Sequence, residues 1–211
     1  MKSLVLSIFV LSAASAAFAQ QWEFGAIGGV SLPINVSANG TPGNATAGFS
    51  AGPTFGVFFG QNRYRNFSGE IRYEFMKSDL HLSGNGQSAS FDGVAHAVHY
   101  DLVFHTNRKE SRTQYFGTVG GGIKLYRGTG AEQAFQPLSQ FGYFTKTQSV
   151  QPLFTAGAGL NYRLSPKVFL RAEVRDFITP FPTKVLTPAP GVKFGSVLND
   201  IMPMVGISYL F

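Results

Sequence analysis

The chain has 211 residues, with 17 Lys and Arg against 11 Asp and Glu, a net charge of +6, and no cysteine. The missing thiols exclude a disulfide scaffold, thiolate zinc sites and a cysteine nucleophile. Only 13% of residues are charged, against about 25% in soluble domains, so the basic balance is not read as a nucleic-acid footprint and no nucleic-acid partner is expected.

Residues 1–19 carry one basic residue, Lys2, then an apolar run from Leu4 to Leu11, then small residues ending Ala17-Phe18-Ala19. This is the pattern of a cleaved secretory signal, and it places the mature domain at 20–211. No later run is long and apolar enough for a membrane helix.

Eight segments with period-2 alternation follow: Trp22 to Leu32, Phe49 to Gly60, Phe67 to Lys77, Phe91 to His105, Gln114 to Arg127, Val150 to Leu164, Val168 to Phe177 and Leu198 to Phe211. Long Gly/Asn/Pro-rich links at 33–48, 78–90, 128–149 and 178–197 take turns with short ones at QNRYRN, TNRKESRT and SPK. Long connections on one side and short ones on the other suit a membrane barrel. A soluble sandwich has no reason to sort its loops this way.

Each strand has two unlike faces. In the third, Ile71, Tyr73 and Phe75 oppose Glu70, Arg72 and Glu74; in the fourth, Val98, Tyr100 and Leu102 oppose His99, Asp101 and His105. In the seventh, Leu170, Ala172 and Val174 oppose Arg171, Glu173 and Arg175. A lipocalin-like barrel would turn the apolar face inward around a ligand, whereas a membrane barrel turns it to lipid. Two features favour the second. Gly56, Gly120, Gly122, Gly157, Gly159 and Gly206 lie on the polar faces, as a crowded eight-stranded lumen requires. Trp22, Phe24, Phe59, Phe67, Phe104, Tyr115, Tyr162, Tyr209 and Phe211 gather at the short-turn ends, as an interfacial girdle would.

The expected fold class is therefore all-β: an eight-stranded antiparallel up-and-down transmembrane β-barrel with both termini periplasmic. Its lumen candidates are Glu23, Glu70, Glu74, Asp101, Glu173 and Asp200 with Arg72, Lys124, Arg163, Arg171 and Arg175, joined by His99. Buried charges need partners, so these residues are read as an ion-pair network filling the barrel, with Arg72 paired to Asp101. A selective ion path through them is the alternative.

The chain ends MPMVGISYLF, with Val205, Ile207, Tyr209 and Phe211 alternating outward. Here it resembles the small bacterial outer-membrane β-barrel family, the eight-stranded membrane domains of OmpA and OmpX type. The resemblance runs from QWEFGAIGGVS through VRDF to the terminal Phe. It implies residence in the outer membrane, contact with its lipid and lipopolysaccharide, and delivery by periplasmic chaperones. It also implies that the terminal alternation is the signal read by the barrel assembly machinery. The pattern of a peptidoglycan-binding periplasmic domain, found in part of that family, is not seen in these residues, so cell-wall anchoring of that kind is not among the expectations.

Other chemistry finds less support. His81-Leu82-Ser83 is similar to the His-x-Ser pair of small outer-membrane lipid A deacylases, but no acid faces lipid on a neighbouring strand to complete a triad. His99 and His105 share a face roughly 20 Å apart along the strand, too far for one ion, and His99 with Asp101 gives two ligands only. No metal, cofactor or catalytic residue is assigned. The aromatics Phe135, Phe141, Tyr143 and Phe144 in the third long link are read two ways: as exposed contacts for an extracellular ligand, or as side chains packing the loops over the barrel. The function expected is structural or adhesive, with a small passive channel as the alternative and a lipid A deacylase ranked below it.

Overall fold

The computed structural model describes residues 21–41, 43–62, 66–106 and 112–211. The leader pattern at 1–19 and the turn residues Arg63, Arg65, Arg108 and Lys109 lie outside the described residues.

Eight strands form a closed antiparallel barrel: β1 (Gln21–Ile34), β4 (Gly52–Asn62), β5 (Phe67–Lys77), β8 (Gly93–His105), β9 (Thr113–Gly128), β11 (Gln148–Arg163), β12 (Val168–Pro180) and β15 (Val197–Leu210). Each pairs with the next in chain order, and β15 closes on β1. Stepping across paired residues from Glu23 leads through Gly60, Glu70, Asp101, Gly120, Thr155, Phe177 and Asp200 back to β1 at Pro33, a shear of ten residues. Eight strands with that shear tilt by about 41° and enclose a backbone radius of about 8 Å.

The wall is inverted relative to a soluble protein. Phe24, Phe55, Ile71, Tyr100, Ile123, Val174, Val205 and Ile207 are exposed outside, whereas Glu70, Arg72, Glu74, Asp101, Lys124, Arg171, Glu173 and Arg175 are buried inside. This rules out the lipocalin-like arrangement. At the short-turn end, Trp22 stacks on Phe59 (centroids 4.9 Å), Phe59 reaches Phe211 (6.3 Å), and Phe67 meets Phe104 (5.4 Å).

The long connections are not irregular loops. Residues 33–48 and 78–90 hold two hairpins, β2 (Val36–Gly40) with β3 (Gly43–Phe49), and β6 (Leu80–Gly84) with β7 (Gln87–Phe91). Phe49 and Phe91, expected to open barrel strands, instead close hairpin strands. The second hairpin turns at Asn85-Gly86, both with positive φ (53° and 73°), the backbone that Asn-Gly favours in a two-residue turn. Residues 178–197 add β13 (Leu186–Pro188) and β14 (Val192–Phe194), and 128–149 adds β10 (Gly142–Phe144), paired with β13. The order β14-β2-β3-β6-β7 makes a five-stranded sheet above the barrel.

That sheet turns Ala38, Ala47, Leu80 and Leu82 onto Leu138, Phe141, Phe144, Phe181, Val185 and Leu186. The result is an apolar crown continuous with Met76, Tyr126, Phe177 and Met202 at the top of the lumen. Phe141 and Phe144 are therefore core residues rather than exposed contacts, while Phe135 is 82% exposed and Tyr143 is also exposed.

Val174 lies midway along β12 on the outer wall. Val174→Arg in lipid vesicles is expected to cost about 2–4 kcal/mol, against about 0–1 kcal/mol for Val197→Arg at the upper strand end. Urea titration of folding in vesicles checks this. Equal costs would place the belt elsewhere.

Candidate functional site

The lumen holds two separate polar clusters. In the larger, β5 supplies Glu70, Arg72 and Glu74, β8 supplies His99 and Asp101, and β12 supplies Arg171, Glu173 and Arg175, each at alternate positions. In a barrel of eight strands β5 and β12 stand on opposite walls, so their long side chains meet on the axis.

Arg72 donates to Glu74 on its own strand through Nε (2.9 Å), to Glu70 through Nη1 (2.9 Å) and across the lumen to Glu173 through Nη2 (2.7 Å). Arg171 returns the bridge, reaching both carboxylate oxygens of Glu70 at 2.9 and 3.0 Å and Glu173 at 2.8 Å. Arg175 binds Glu70 (2.7 Å), Glu173 (2.9 Å) and Asp101. Asp101 also accepts from Thr155 Oγ1 at 2.6 Å.

Asp101 therefore pairs with Arg175 and not with Arg72. The register explains it: Asp101 lies directly opposite Glu70, and His99 opposite Arg72. Besides His99 on its own strand, Asp101 takes its guanidinium partner across the lumen from β12.

His99 is held at both ring nitrogens, Nε2 by Glu74 (2.8 Å) and Nδ1 by Asp101 (3.0 Å). Two carboxylate acceptors are matched by two N–H donors, which is the imidazolium form. Four carboxylates then face three guanidiniums and one imidazolium, and the cluster closes without net charge.

Gly120 and Gly122 on β9 make room for it. A Cβ at Gly122 would lie 2.1 Å from the Val98 carbonyl and 2.5 Å from His99 Cα; one at Gly120 would lie 2.0 Å from Asp101 Oδ1.

Phenyl rings fill the remaining space. The Arg171 guanidinium lies between Phe58 (4.6 Å) and Phe116 (4.4 Å), with Arg72 5.2 Å from the Phe58 centroid. Sequence reasoning gave these inward rings no role. The signal was present, since Phe58 and Phe116 each stand beside an aromatic of opposite parity, Phe59 and Tyr115.

The second cluster sits higher. Lys124 donates to Asp200 (2.8 Å), whose other oxygen accepts from Ser31 (2.7 Å), and its ammonium lies over Tyr126 (5.0 Å) and Phe177 (5.6 Å). Arg163 belongs to neither cluster. It lies at the short-turn mouth, over Phe169 at 5.8 Å, because its strand has left the depth reached by the acids. Glu23 lies half-buried on the inner side of β1.

The remaining histidines are scattered. His96 is on the outer wall, with Tyr73 Oη 2.8 Å from its Nδ1, and His105 meets Ser68 Oγ at 3.0 Å inside the lower mouth. His81 and Ser83 stand on the outer face of β6. Their cross-strand partners are Gly48 and Thr46 on β3, and Ser90 and Ser88 on β7. None of these is an acid. Val205, Ile207, Tyr209 and Phe211 all point outward and are exposed.

No protein-family model matches the chain, and no curated protein matches it. Among solved structures it is similar to the Neisserial surface protein A, at a TM-score of 0.55 and 11% identity over 92% of this chain and 97% of that one. It also aligns with the N-terminal β-barrel domain of Pseudomonas aeruginosa OprF (TM-score 0.49, 11% identity, 90% and 97% covered) and with Ail of Yersinia pestis (TM-score 0.44, 13% identity, 90% and 99% covered). The first of these likenesses is one of fold: the chain has the fold of the small eight-stranded outer-membrane barrels.

Removing one partner of a buried pair leaves a charge uncompensated. Glu173→Ala strips an acceptor from three guanidiniums and is expected to cost about 3–5 kcal/mol, while Arg163→Ala costs less than about 1 kcal/mol. The comparison is made by urea unfolding in vesicles. A Glu173→Ala protein as stable as the parent would break the network assignment.

Proposed function

We propose that the chain is an integral outer-membrane protein whose sealed barrel anchors a folded crown on the cell surface, with a structural or surface-interaction role and no catalysis. The observation that carries the reading is the inverted wall. An exposed apolar belt of this size is stable only in lipid, and charges at 0–5% side-chain exposure on the axis suit a closed lumen.

In this reading the termini are periplasmic, since the aromatic cluster of Trp22, Phe59 and Phe211 marks the short-turn interface. Val205, Ile207, Tyr209 and Phe211 form the signal for the assembly machinery, and outer-membrane lipid and lipopolysaccharide cover the belt. Arg112 and Lys167 face the periplasmic headgroups.

The packed axis argues against the passive-channel alternative. Ion pairs cross the full diameter between β5 and β12, and the apolar crown lies above them. The deacylase reading lacks an acid among the cross-strand partners of His81 and Ser83, and Asp79, two residues before His81, is taken up by Lys77 and the Gly93 N–H.

Expression in a Gram-negative host is expected to place the protein in the outer-membrane fraction, with migration on SDS gels that changes on boiling. Recovery as a soluble periplasmic protein would overturn the reading. In planar bilayers the folded protein is expected to give no single-channel steps, and steady unitary conductance would favour the channel instead.

A further inference from the structure

The outer face of the five-stranded sheet has a composition unlike the rest of the crown. One row of directly paired residues runs Ser37, Thr46, Ser83, Ser88 across β2, β3, β6 and β7, about 14 Å long at the usual strand spacing. A second row runs Lys193, Asn39, Asn44. Between β3 and β7 a third runs Gly48, His81, Ser90.

Gly48 is bare for a reason. A Cβ there would meet Asn35 Oδ1 at 2.1 Å, and that oxygen accepts from Phe49 N–H at 2.8 Å. The Asn35 carboxamide lies in the place of the missing side chain.

Apart from Lys193 at the sheet edge, no residue in these rows carries a fixed charge. A solvated protein surface normally holds about 25–35% charged residues. Charges border the rows only at their lower edge, where Lys77 pairs with Asp79 (2.7 Å) beside Asp92; Glu132, Lys146 and Lys184 lie on other connections of the crown. Among the described residues, none of the Ser37, Thr46, Ser83 and Ser88 hydroxyls or the Asn39 and Asn44 amides bonds within the chain. Each offers both a donor and an acceptor, which is the complement of a neutral polyhydroxyl.

The position of the face selects the occupant. β2 continues the wall of β1, β3 that of β4, β6 that of β5 and β7 that of β8, so the polar rows stand above Leu32, Ile34 and Phe55 of the apolar belt. The rows continue upward the surface that meets lipid. A molecule whose acyl chains lie against the belt brings its sugars to this height.

We propose that the outer face of the β14-β2-β3-β6-β7 sheet docks the uncharged saccharide chain of the outer-leaflet glycolipid surrounding the barrel. This rests on the outer-membrane reading above. Apart from the His81 imidazole the rows contain no aromatic ring, so each sugar contact is a weak hydrogen-bonded one. Tethering in the same leaflet supplies the high effective concentration that makes weak repeated contacts sufficient. A free glycan lacks that advantage.

The test reconstitutes the full barrel in vesicles containing either lipopolysaccharide with a neutral sugar chain or its sugar-trimmed lipid A form. Hydrogen exchange of the β2, β3, β6 and β7 amides is then read. Protection of these amides is expected to rise at least about tenfold with the sugared lipid, as a contact worth about 1.4 kcal/mol gives, and to stay at the vesicle baseline with lipid A alone.

Thr46→Glu with Ser83→Glu, a directly paired couple on the exposed face, is expected to abolish the difference. Thr46→Lys with Ser83→Lys is expected to do the same, because either charge replaces hydroxyls that sugars need. Gln133→Glu, on the crown away from the rows, should leave it intact. Equal protection in both lipids overturns the proposal, as does strengthening by the lysine pair, which would mean that phosphate is the ligand. Failure of the parent to insert, seen as migration unchanged by boiling, overturns the membrane reading together with it. Insertion without sugar-dependent protection overturns the proposal alone.

Discussion

The charges on the axis can be satisfied only by one another. A lone carboxylate or guanidinium removed from water is far costlier than any single contact can offset, and the lumen has neither bulk solvent nor a neutral way to leave one over. β5 and β12 face each other across the barrel, and each alternates acid and base. Arg72 reaches Glu173, and Arg171 reaches Glu70. The two crossings are reciprocal, so the network fixes which strand stands opposite which. A register slip of one residue in either strand would turn its charges into lipid. The interior thus reports on the closure of the wall, whose backbone hydrogen bonds have no alternative partners in a membrane.

Above the network the outer surface changes from apolar to polar. The crown is ordered as a soluble protein is, with apolar residues inside and polar ones outside, while the barrel below is the reverse. The junction falls where Tyr126, Phe177, Met76 and Met202 meet Phe49 and Phe181. Lys124 marks the boundary, with its ammonium paired to Asp200 below a roof of two aromatic rings. Polar and apolar cores therefore share one continuous interior. The roof also adds apolar burial to the little that Phe58 and Phe116 supply among the charges below.

How far the sequence disclosed this depended on the distance over which each signal acts. Strand parity is local: Glu70, Arg72 and Glu74 alternate with Ile71, Tyr73 and Phe75, and the strand bounds at Phe67 and Lys77 could be read directly. Sharing of a lumen by Glu70, Arg72, Glu173 and Arg175 followed from parity alone. Partner choice did not. Arg72 and Asp101 are close along the chain, but Asp101 faces Glu70 in register, and the bridging Arg175 arrives from a strand 74 residues away. Packing of the long links over the barrel was one of the two readings their aromatics allowed, but the strand pairing within them was not legible. The crown's strands are short, and β2, β3 and β7 are rich in Ala, Ser, Thr, Asn and Gly, residues that read as loop composition even beside the Asn85-Gly86 turn. β2 is held between β3, its hairpin partner, and β14 from a distant part of the chain.

Short breaks keep the wall consistent across that change of surface. Outward residues have even numbers on β1 (Leu32, Ile34) but odd numbers on β2 (Ser37, Asn39), so Asn35 absorbs one residue of the alternation. Between β3 and β4 the same shift from Asn44 and Thr46 to Phe55 and Val57 is absorbed at Ser50-Ala51. β5 to β6 needs none: Phe75 and Lys77 lead through Asp79 to His81 and Ser83 with parity unbroken. The breaks lie side by side and are stitched, by Asn35 Oδ1 accepting from Phe49 N–H, Asp79 Oδ1 accepting from Gly93 N–H, and the Asp79 carbonyl accepting from Ser50 N–H. Without the two shifts, Ala38, Ala45 and Ala47 would face outward and Ser37, Asn44 and Thr46 would be buried in the crown without partners. The polar outer face of the upper sheet is thus set by two local irregularities placed where the apolar belt ends.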